Sequence, residues 1–173
     1  MNDFNKDLEY SSRQSDCNFW LECYQQAFPC MTACCDHRAD GDHQRVGIDR
    51  SVVIENGKVY YIDEKVRRAH YTNQCPEGDI LLEEWSSEEK KVPGWAIKPL
   101  WADYIAYAII PIQTCFLMPV TQMQEAWRRN AEQWKAKYKK CSAPNFNYTT
   151  IGWAIPIPEL YREIGKCLRI KWK

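Results

Sequence analysis

Apolar residues recur at steps of three and four between residues 120 and 138, and this is the clearest periodic pattern in the chain. The spacing places them on one stripe of an amphipathic helix, and it favours a core role for the aromatic members over a base-stacking surface. A second helix is predicted from Asp16, which can act as an N-cap, to about residue 28, after a shorter one at residues 3–11. The stripe consists of Val120, Met123, Trp127, Ala131, Trp134 and Tyr138.

Shorter apolar runs bounded by turn residues predict strands. Residues 46–67 read VGIDRSVVIENGKVYYIDEKVR, in which two apolar runs flank Asn56-Gly57, so a β-hairpin is predicted there after a polar loop at residues 34–43. The order of helices and strands predicts a mixed α/β fold. The remaining predicted elements are strands at 79–85, 114–118 and 151–157, the last at a sheet edge because of Pro156, and helices at 99–110 and 158–165.

Length and composition narrow the class of protein. A chain of 173 residues is most economically one domain, and 13% aromatic residues argue against disorder. The start, MNDFNKDLEY, is polar, and no apolar run approaches the length of a membrane span. We therefore expect a soluble protein of the cytoplasm with no membrane partner. The 9 cysteines, an odd number without an export signal, indicate reduced thiols.

The charges balance at 23 basic and 23 acidic residues, so the net charge gives no sign of nucleic-acid binding. Their distribution is more informative, because basic residues collect at 128–140 and 162–173 while the first half is richer in acids. A neutral protein with one basic side would suit the local recruitment of DNA. Candidates for contacts with DNA phosphates are Gln44, Arg45, Arg128, Lys135 and Lys139.

Two acids and a lysine fall on the arms of the predicted hairpin. Asp49 precedes the first arm, and the second arm leads into Asp63-Glu64-Lys65. Magnesium takes oxygen ligands in octahedral geometry and usually only one or two carboxylates, which Asp49 and Asp63 can supply. A lysine two residues after Asp63 shares its strand face, and it can orient or activate a water or offset charge on the phosphate under attack.

The register of the hairpin decides whether these side chains meet. A strict two-residue type I′ turn on Asn56-Gly57 would pair Asp49 with Glu64 and put Asp49 on the face opposite Asp63. A three-residue loop with a bulge, or a kink of the strand before Asp49, would bring the two aspartates to one face. If neither occurs, Glu64 becomes the partner of Asp49.

The pairing of Asp49 with Asp63-x-Lys65 across a hairpin resembles the PD-(D/E)XK nuclease superfamily, which has the restriction-endonuclease-like fold. The resemblance implies an αβββαβ core with flanking helices and hydrolysis of DNA that depends on Mg²⁺ or Mn²⁺. It implies Asp49 and Asp63 as metal ligands, Lys65 as the residue that activates or orients water, and Glu64 as a supplementary catalytic residue. Gly47-Ile48 stands where the superfamily motif has a proline. The segments GWAIKPLWADYIAY and IPIPEL resemble small uncharacterised members from phages and bacteria.

The same resemblance adds second-tier expectations. The superfamily often contributes a further acid from an N-terminal helix, for which Glu9 and Glu22 are candidates, and many of its members are homodimers. The alternative function is that of a catalytically inactive nuclease-fold protein that binds DNA or another protein. Cysteines and histidines in residues 30–43 lack the paired spacing of a zinc site. The common nucleotide-binding and hydrolase motifs do not occur.

Overall fold

The fold is mixed α/β. The computed structural model describes residues 18–165 and 167–173, so the helix expected at residues 3–11 and the cap at Asp16 lie outside the described residues. In chain order the elements are α1 (Phe19–Ala27), β1 (Met31–Asp36), α2 (Gly41–Arg45), β2 (Arg50–Ile54), β3 (Val59–Arg67), β4 (Asp79–Ser87), β5 (Val92–Pro93), β6 (Tyr104–Ile109), a 3₁₀ turn (Ile110–Ile112), β7 (Thr114–Pro119), α3 (Val120–Lys137), β8 (Lys139–Pro144), β9 (Thr149–Pro156), α4 (Ile157–Ile164) and β10 (Leu168–Lys171).

Backbone contacts divide the chain into two compact units. Of the described residues, the hairpin unit comprises 18–70, 100–121 and 167–173, and the long-helix unit comprises 71–99 and 122–165. The one domain expected from the chain length stays a prediction. None of the helices in the described part of the chain has the length and apolar surface needed to cross a membrane.

The hairpin unit is built on a six-stranded sheet with the strand order β1-β2-β3-β6-β7-β10. Strands β3 and β6 are parallel, and the other neighbouring pairs are antiparallel. Helix α1 packs on one face of this sheet, where Trp20 and Tyr24 are buried with Val52 and Ile62. Because side chains alternate along a strand, residues 61, 63 and 65 of β3 point to the opposite face.

The long-helix unit contains an antiparallel sheet with the strand order β5-β4-β9-β8. Helix α3 confirms the predicted amphipathic helix, and Met123, Trp127 and Trp134 of its apolar stripe are buried. Helix α4 follows β9 directly and confirms the predicted late helix, with Leu160 fully buried.

The strands differ from the prediction in several places. The helix predicted at residues 99–110 is wrong, because residues 104–109 form β6. That strand is buried almost throughout and so lacks the apolar-polar alternation that marks a half-exposed strand. The predicted loop at residues 34–43 begins as the end of β1, an edge strand. Strand β4 pairs with β5 and β9 rather than with the hairpin, and β9 is internal, with Pro156 as its last residue.

Candidate functional site

The hairpin turn is a three-residue loop. The N–H of Gly57 donates to the carbonyl of Ile54 at 2.8 Å, and the N–H of Ile54 donates to the carbonyl of Lys58 at 3.0 Å, so residues 55–57 form the loop. Gly57 has a φ of +78°, in the left-handed region that glycine adopts without the steric cost of a side chain. This is the three-residue alternative of the sequence analysis, a turn closed by a glycine bulge.

The loop shifts the strand register by one residue. Arg50 pairs with Ile62, and Asp49, which lies just before β2, donates its N–H to the carbonyl of Ile62 at 2.9 Å. The side chain of Asp49 forms a hydrogen bond with that of Asp63, and Lys65 follows Asp63 by two residues on the same face of β3. The Nζ of Lys65 lies 2.5 Å from Oδ1 of Asp63. The structure thus brings Asp49, Asp63 and Lys65 together, and the two-residue register that would have separated them does not occur.

Both carboxylate oxygens of Asp49 are held by donors. The side-chain amide of Gln44 donates to Oδ1 at 2.7 Å, and the backbone N–H of Glu64 donates to Oδ2 at 2.7 Å. Gln44 lies in the short helix α2, whose N-cap Asp40 accepts hydrogen bonds from the N–H groups of residues 42 and 43. These contacts fix the orientation of Asp49. Gln44 was expected to contact a DNA phosphate, but its side-chain amide binds this acid instead.

Asp63 is a buried carboxyl with a perturbed acidity. Its side chain is only 5% exposed, and burial is the main cause that raises its pKa from 3.8 to about 6. The positive charge of Lys65 acts in the opposite direction, whereas the charge of Asp49 and a side-chain hydrogen bond with Asp49 raise the pKa further. Asp49 and Asp63 therefore form a close pair of carboxyls in which Asp63 holds its proton more tightly than an exposed aspartate does.

The carboxylate of Glu64 lies on the opposite face of β3. Its Oε1 accepts from Nε of Arg50 at 2.6 Å and from the hydroxyl of Tyr24 at 2.7 Å, and its side chain is 2% exposed. Burial raises the pKa of Glu64, and the Arg50 and Tyr24 contacts oppose that shift. We expected the Glu64 side chain to join the two aspartates, but side chains alternate along β3, so it points to the other face. Its contact with Asp49 is made by the backbone N–H.

The other candidates of the hairpin unit are not gathered around the acid pair. Glu9 lies outside the described residues. Glu22 accepts from the backbone N–H of Lys173 at 3.3 Å and is not brought to Asp49 and Asp63. Arg45 pairs with Asp42 at 2.8 Å, and both of these side chains are largely exposed.

The basic candidates of the long-helix unit differ in how firmly they are held. Arg128 is exposed and pairs with Glu125 along helix α3. Lys135 pairs with Glu84, a largely buried acid, so its charge is used inside the unit and suits a phosphate contact poorly. Lys139 has an exposed side chain at the start of β8.

The acid pair suits a hard divalent cation by the chemistry of its donors. Two adjacent carboxylates are the number that Mg²⁺ usually takes, with waters and phosphate oxygens completing its octahedron. Within residues 18–165 and 167–173, no group of three His, Cys, Asp or Glu side chains is placed to hold a metal. In the segment of residues 30–43, the rings of His37 and His43 stack at 4.2 Å.

Two features of the site were not found from the sequence. The first is the contact of Gln44 with Asp49, for which the only sequence signal is a polar residue shortly before the acid. The second is a cavity of about 580 Å³ lined by Ile48, Tyr61 and Trp101, among others. No residue pattern marks that cavity, because it depends on how residues 100–103 pack against the segment before Asp49.

Comparisons of the chain with known protein families, with curated protein sequences and with solved structures find no match. The geometry of the hairpin unit therefore carries the functional proposal.

Proposed function

We propose that this protein is a nuclease that hydrolyses phosphodiester bonds of DNA with Mg²⁺ or Mn²⁺. The observation that carries the proposal is the close approach of the Asp49, Asp63 and Lys65 side chains, in the hairpin register that the three-residue loop sets. Two carboxylates beside an ammonium group combine ligands for a hard cation with a positive charge for the phosphate.

The order of elements in the hairpin unit supports a restriction-endonuclease-like core. Helix α1 is followed by three antiparallel neighbours, β1, β2 and β3, and the next strand of the sheet, β6, is parallel to β3. This agrees with the helix, three strands and fourth strand of an αβββαβ core. The connection from β3 to β6 contains β4 and β5, and its described residues include no helix, which is the departure from that pattern.

Each side chain has a distinct part in the proposed reaction. Asp49 and Asp63 would hold a divalent cation, which supplies positive charge to phosphate oxygens and lowers the pKa of a bound water. Lys65 does not act as a ligand, because an ammonium group has no lone pair. It orients the attacking water and offsets negative charge on the phosphate. Gln44 positions Asp49, and the backbone N–H of Glu64 does the same from the other side.

The test is a cleavage assay on plasmid and single-stranded DNA with Mn²⁺ and Mg²⁺, combined with calorimetric titration of the metal. We expect the native chain to cleave DNA and Asp63→Asn to lose both cleavage and metal binding. Lys65→Ala should lose cleavage and keep metal binding. Lys58→Ala is the matched control, because Lys58 is exposed on the same hairpin and packs over the Tyr60 ring, so its loss should leave the cleavage rate unchanged.

Two outcomes would contradict the proposal in different ways. Cleavage by Lys65→Ala at the native rate would show that the lysine is structural and the mechanism wrong. Binding of metal and DNA without cleavage by the native chain would favour the second candidate, a catalytically inactive nuclease-fold protein. The observation that favours this second candidate is that the described residues place no third metal ligand beside the two aspartates.

A further inference from the structure

A cavity of about 580 Å³ opens in the hairpin unit, on the side of β3 that carries the acid pair. Its walls combine the aromatic side chains of Trp101 and Tyr61 with the aliphatic side chains of Val46 and Ile48. Asp42, His43 and Arg45 contribute polar groups to the lining. A largely apolar pocket with a few polar groups at its edge is the usual form of a site for a small organic ligand.

Trp101 is unusual because its backbone is fixed while its indole ring is left open. Trp101 is 73% exposed, which makes it the most exposed tryptophan among the described residues. Its N–H donates to the carbonyl of Val46 at 3.0 Å, and two residues later the N–H of Asp103 donates to the carbonyl of Tyr61 at 2.7 Å. The carboxylate of Asp103 in turn accepts from the N–H of Tyr61 at 2.8 Å.

A close backbone approach completes the support beneath this ring. Gly47 has a φ of +74°, and a Cβ built there would lie 2.4 Å from Cδ2 of Leu100, the residue before Trp101. The segment before Asp49 and the segment that carries Trp101 are therefore packed as closely as a glycine allows. An exposed tryptophan on so firmly held a backbone is a ready surface for stacking, because little backbone freedom remains to be lost on binding.

The cavity lies about one nucleotide from the acid pair. Ile48 is the neighbour of Asp49, and Tyr61 precedes Asp63 by two residues on the same face of β3, roughly 7 Å at the rise of an extended strand. A phosphate at the two aspartates would thus have its own or the adjoining nucleoside at the cavity. In a duplex the bases are stacked and paired, and they could not reach an aromatic wall in this position.

We infer that the cavity binds an unpaired nucleobase by stacking on Trp101, and that the substrate is DNA with an unpaired nucleotide next to the scissile phosphate. This inference rests on the proposed nuclease function for the position of the phosphate. A stacked base needs a flat aromatic face and tolerates any sequence, since every base has a π-face. Arg45, whose side chain is 79% exposed and pairs with Asp42 on the surface, places a guanidinium group at the edge of the cavity.

The first test is a binding cycle with the native chain and Trp101→Ala. The probes are a single-stranded oligonucleotide that contains 2-aminopurine and the same oligonucleotide with an abasic site in that position, both in Ca²⁺ and in EDTA. Loss of one stacked base should weaken binding of the intact strand by roughly 5- to 150-fold, and Trp101→Ala should bind the intact and abasic strands alike. The 2-aminopurine fluorescence should be quenched by the native chain and by Trp101→Phe, which keeps an aromatic face.

The matched control is Phe146→Ala, since Phe146 is 97% exposed, aromatic and outside the cavity. This variant should bind both strands as the native chain does. Equal affinity of the native chain and Trp101→Ala for the intact strand would overturn the inference, as would tighter binding of blunt duplex than of single strand. Because this cycle measures binding, it remains decisive if no DNA is cleaved in Mn²⁺, an outcome that would overturn the proposed function instead.

Discussion

Asp63→Asn should stabilise the protein at neutral pH when no divalent cation is present. The Asp63 side chain is 5% exposed, and its pKa rises from 3.8 to about 6. The folded protein keeps this proton up to about pH 6, whereas the unfolded chain releases it near 3.8. The folded state therefore binds more protons in that window, so the free energy of unfolding falls as the pH rises through it. At about 1.36 kcal/mol per pKa unit, the loss above this window is ~3 kcal/mol.

Asparagine is close in shape to the protonated carboxyl and does not ionise, so this variant should escape the loss. Urea unfolding in EDTA should give nearly equal stabilities for the native chain and Asp63→Asn at about pH 4, and an advantage of ~3 kcal/mol for the variant above about pH 7. Added Mg²⁺ should stabilise only the native chain, because a ligand that binds the folded state alone shifts the equilibrium by mass action.

Asp42→Asn provides the control for the removal of a carboxylate. Asp42 is in the same unit, its side chain is 86% exposed, and its pair with Arg45 is a surface pair, so its loss should change the stability by less than ~1 kcal/mol at either pH. If the stability difference between Asp63→Asn and the native chain were the same at both pH values, the reasoning from a buried, ionisable acid pair would be refuted.

Three further substitutions test the supports of the structure by urea unfolding. Tyr24→Phe removes a donor from the buried Glu64 carboxylate and should cost about 1.5–3 kcal/mol; no change would mean that the 2.7 Å contact is not made. Gly57→Ala has open space for its methyl group but a φ of +78°, so the expected cost of about 1–2 kcal/mol is purely conformational. Lys135→Ala leaves Glu84 with Trp153 as its donor and should destabilise by about 1–3 kcal/mol, unlike Lys139→Ala.

The sequence predicted the hairpin and its acid-lysine motif because both are local. The apolar runs on either side of Asn56-Gly57 fix the two arms, and Asp-x-Lys spacing on a strand fixes a common face for Asp63 and Lys65. It could not choose between a two-residue and a three-residue loop, because Asn-Gly is compatible with both. The choice between them decides the face of Asp49, since a shift of one residue reverses every side chain.

The sequence did not predict several strands correctly, either because their residues are largely buried or partly basic, or because their partners are distant along the chain. Residues 104–109, YIAYAI, carry no alternation, because β6 has neighbours on both sides and is buried almost throughout, so the periodicity matched a buried helix equally well. Strands β8 and β10 each carry two basic residues and resemble solvated segments. The pairing of β4 with β9 joins residues 79–87 to residues 149–156, a distance along the chain that no local pattern encodes.

The alternation along β3 also explains why a charged residue in the middle of the motif need not share its chemistry. Asp63 and Lys65 contact each other on one face of β3, and Glu64, between them, faces helix α1 and binds Arg50 and Tyr24. That buried contact opposes any rotation or slipping of β3, because either motion would leave the buried Glu64 carboxylate without Arg50 and Tyr24. The N–H of Glu64 therefore stays directed at Asp49 at 2.7 Å, and the ion pair on one face positions the acid pair on the other.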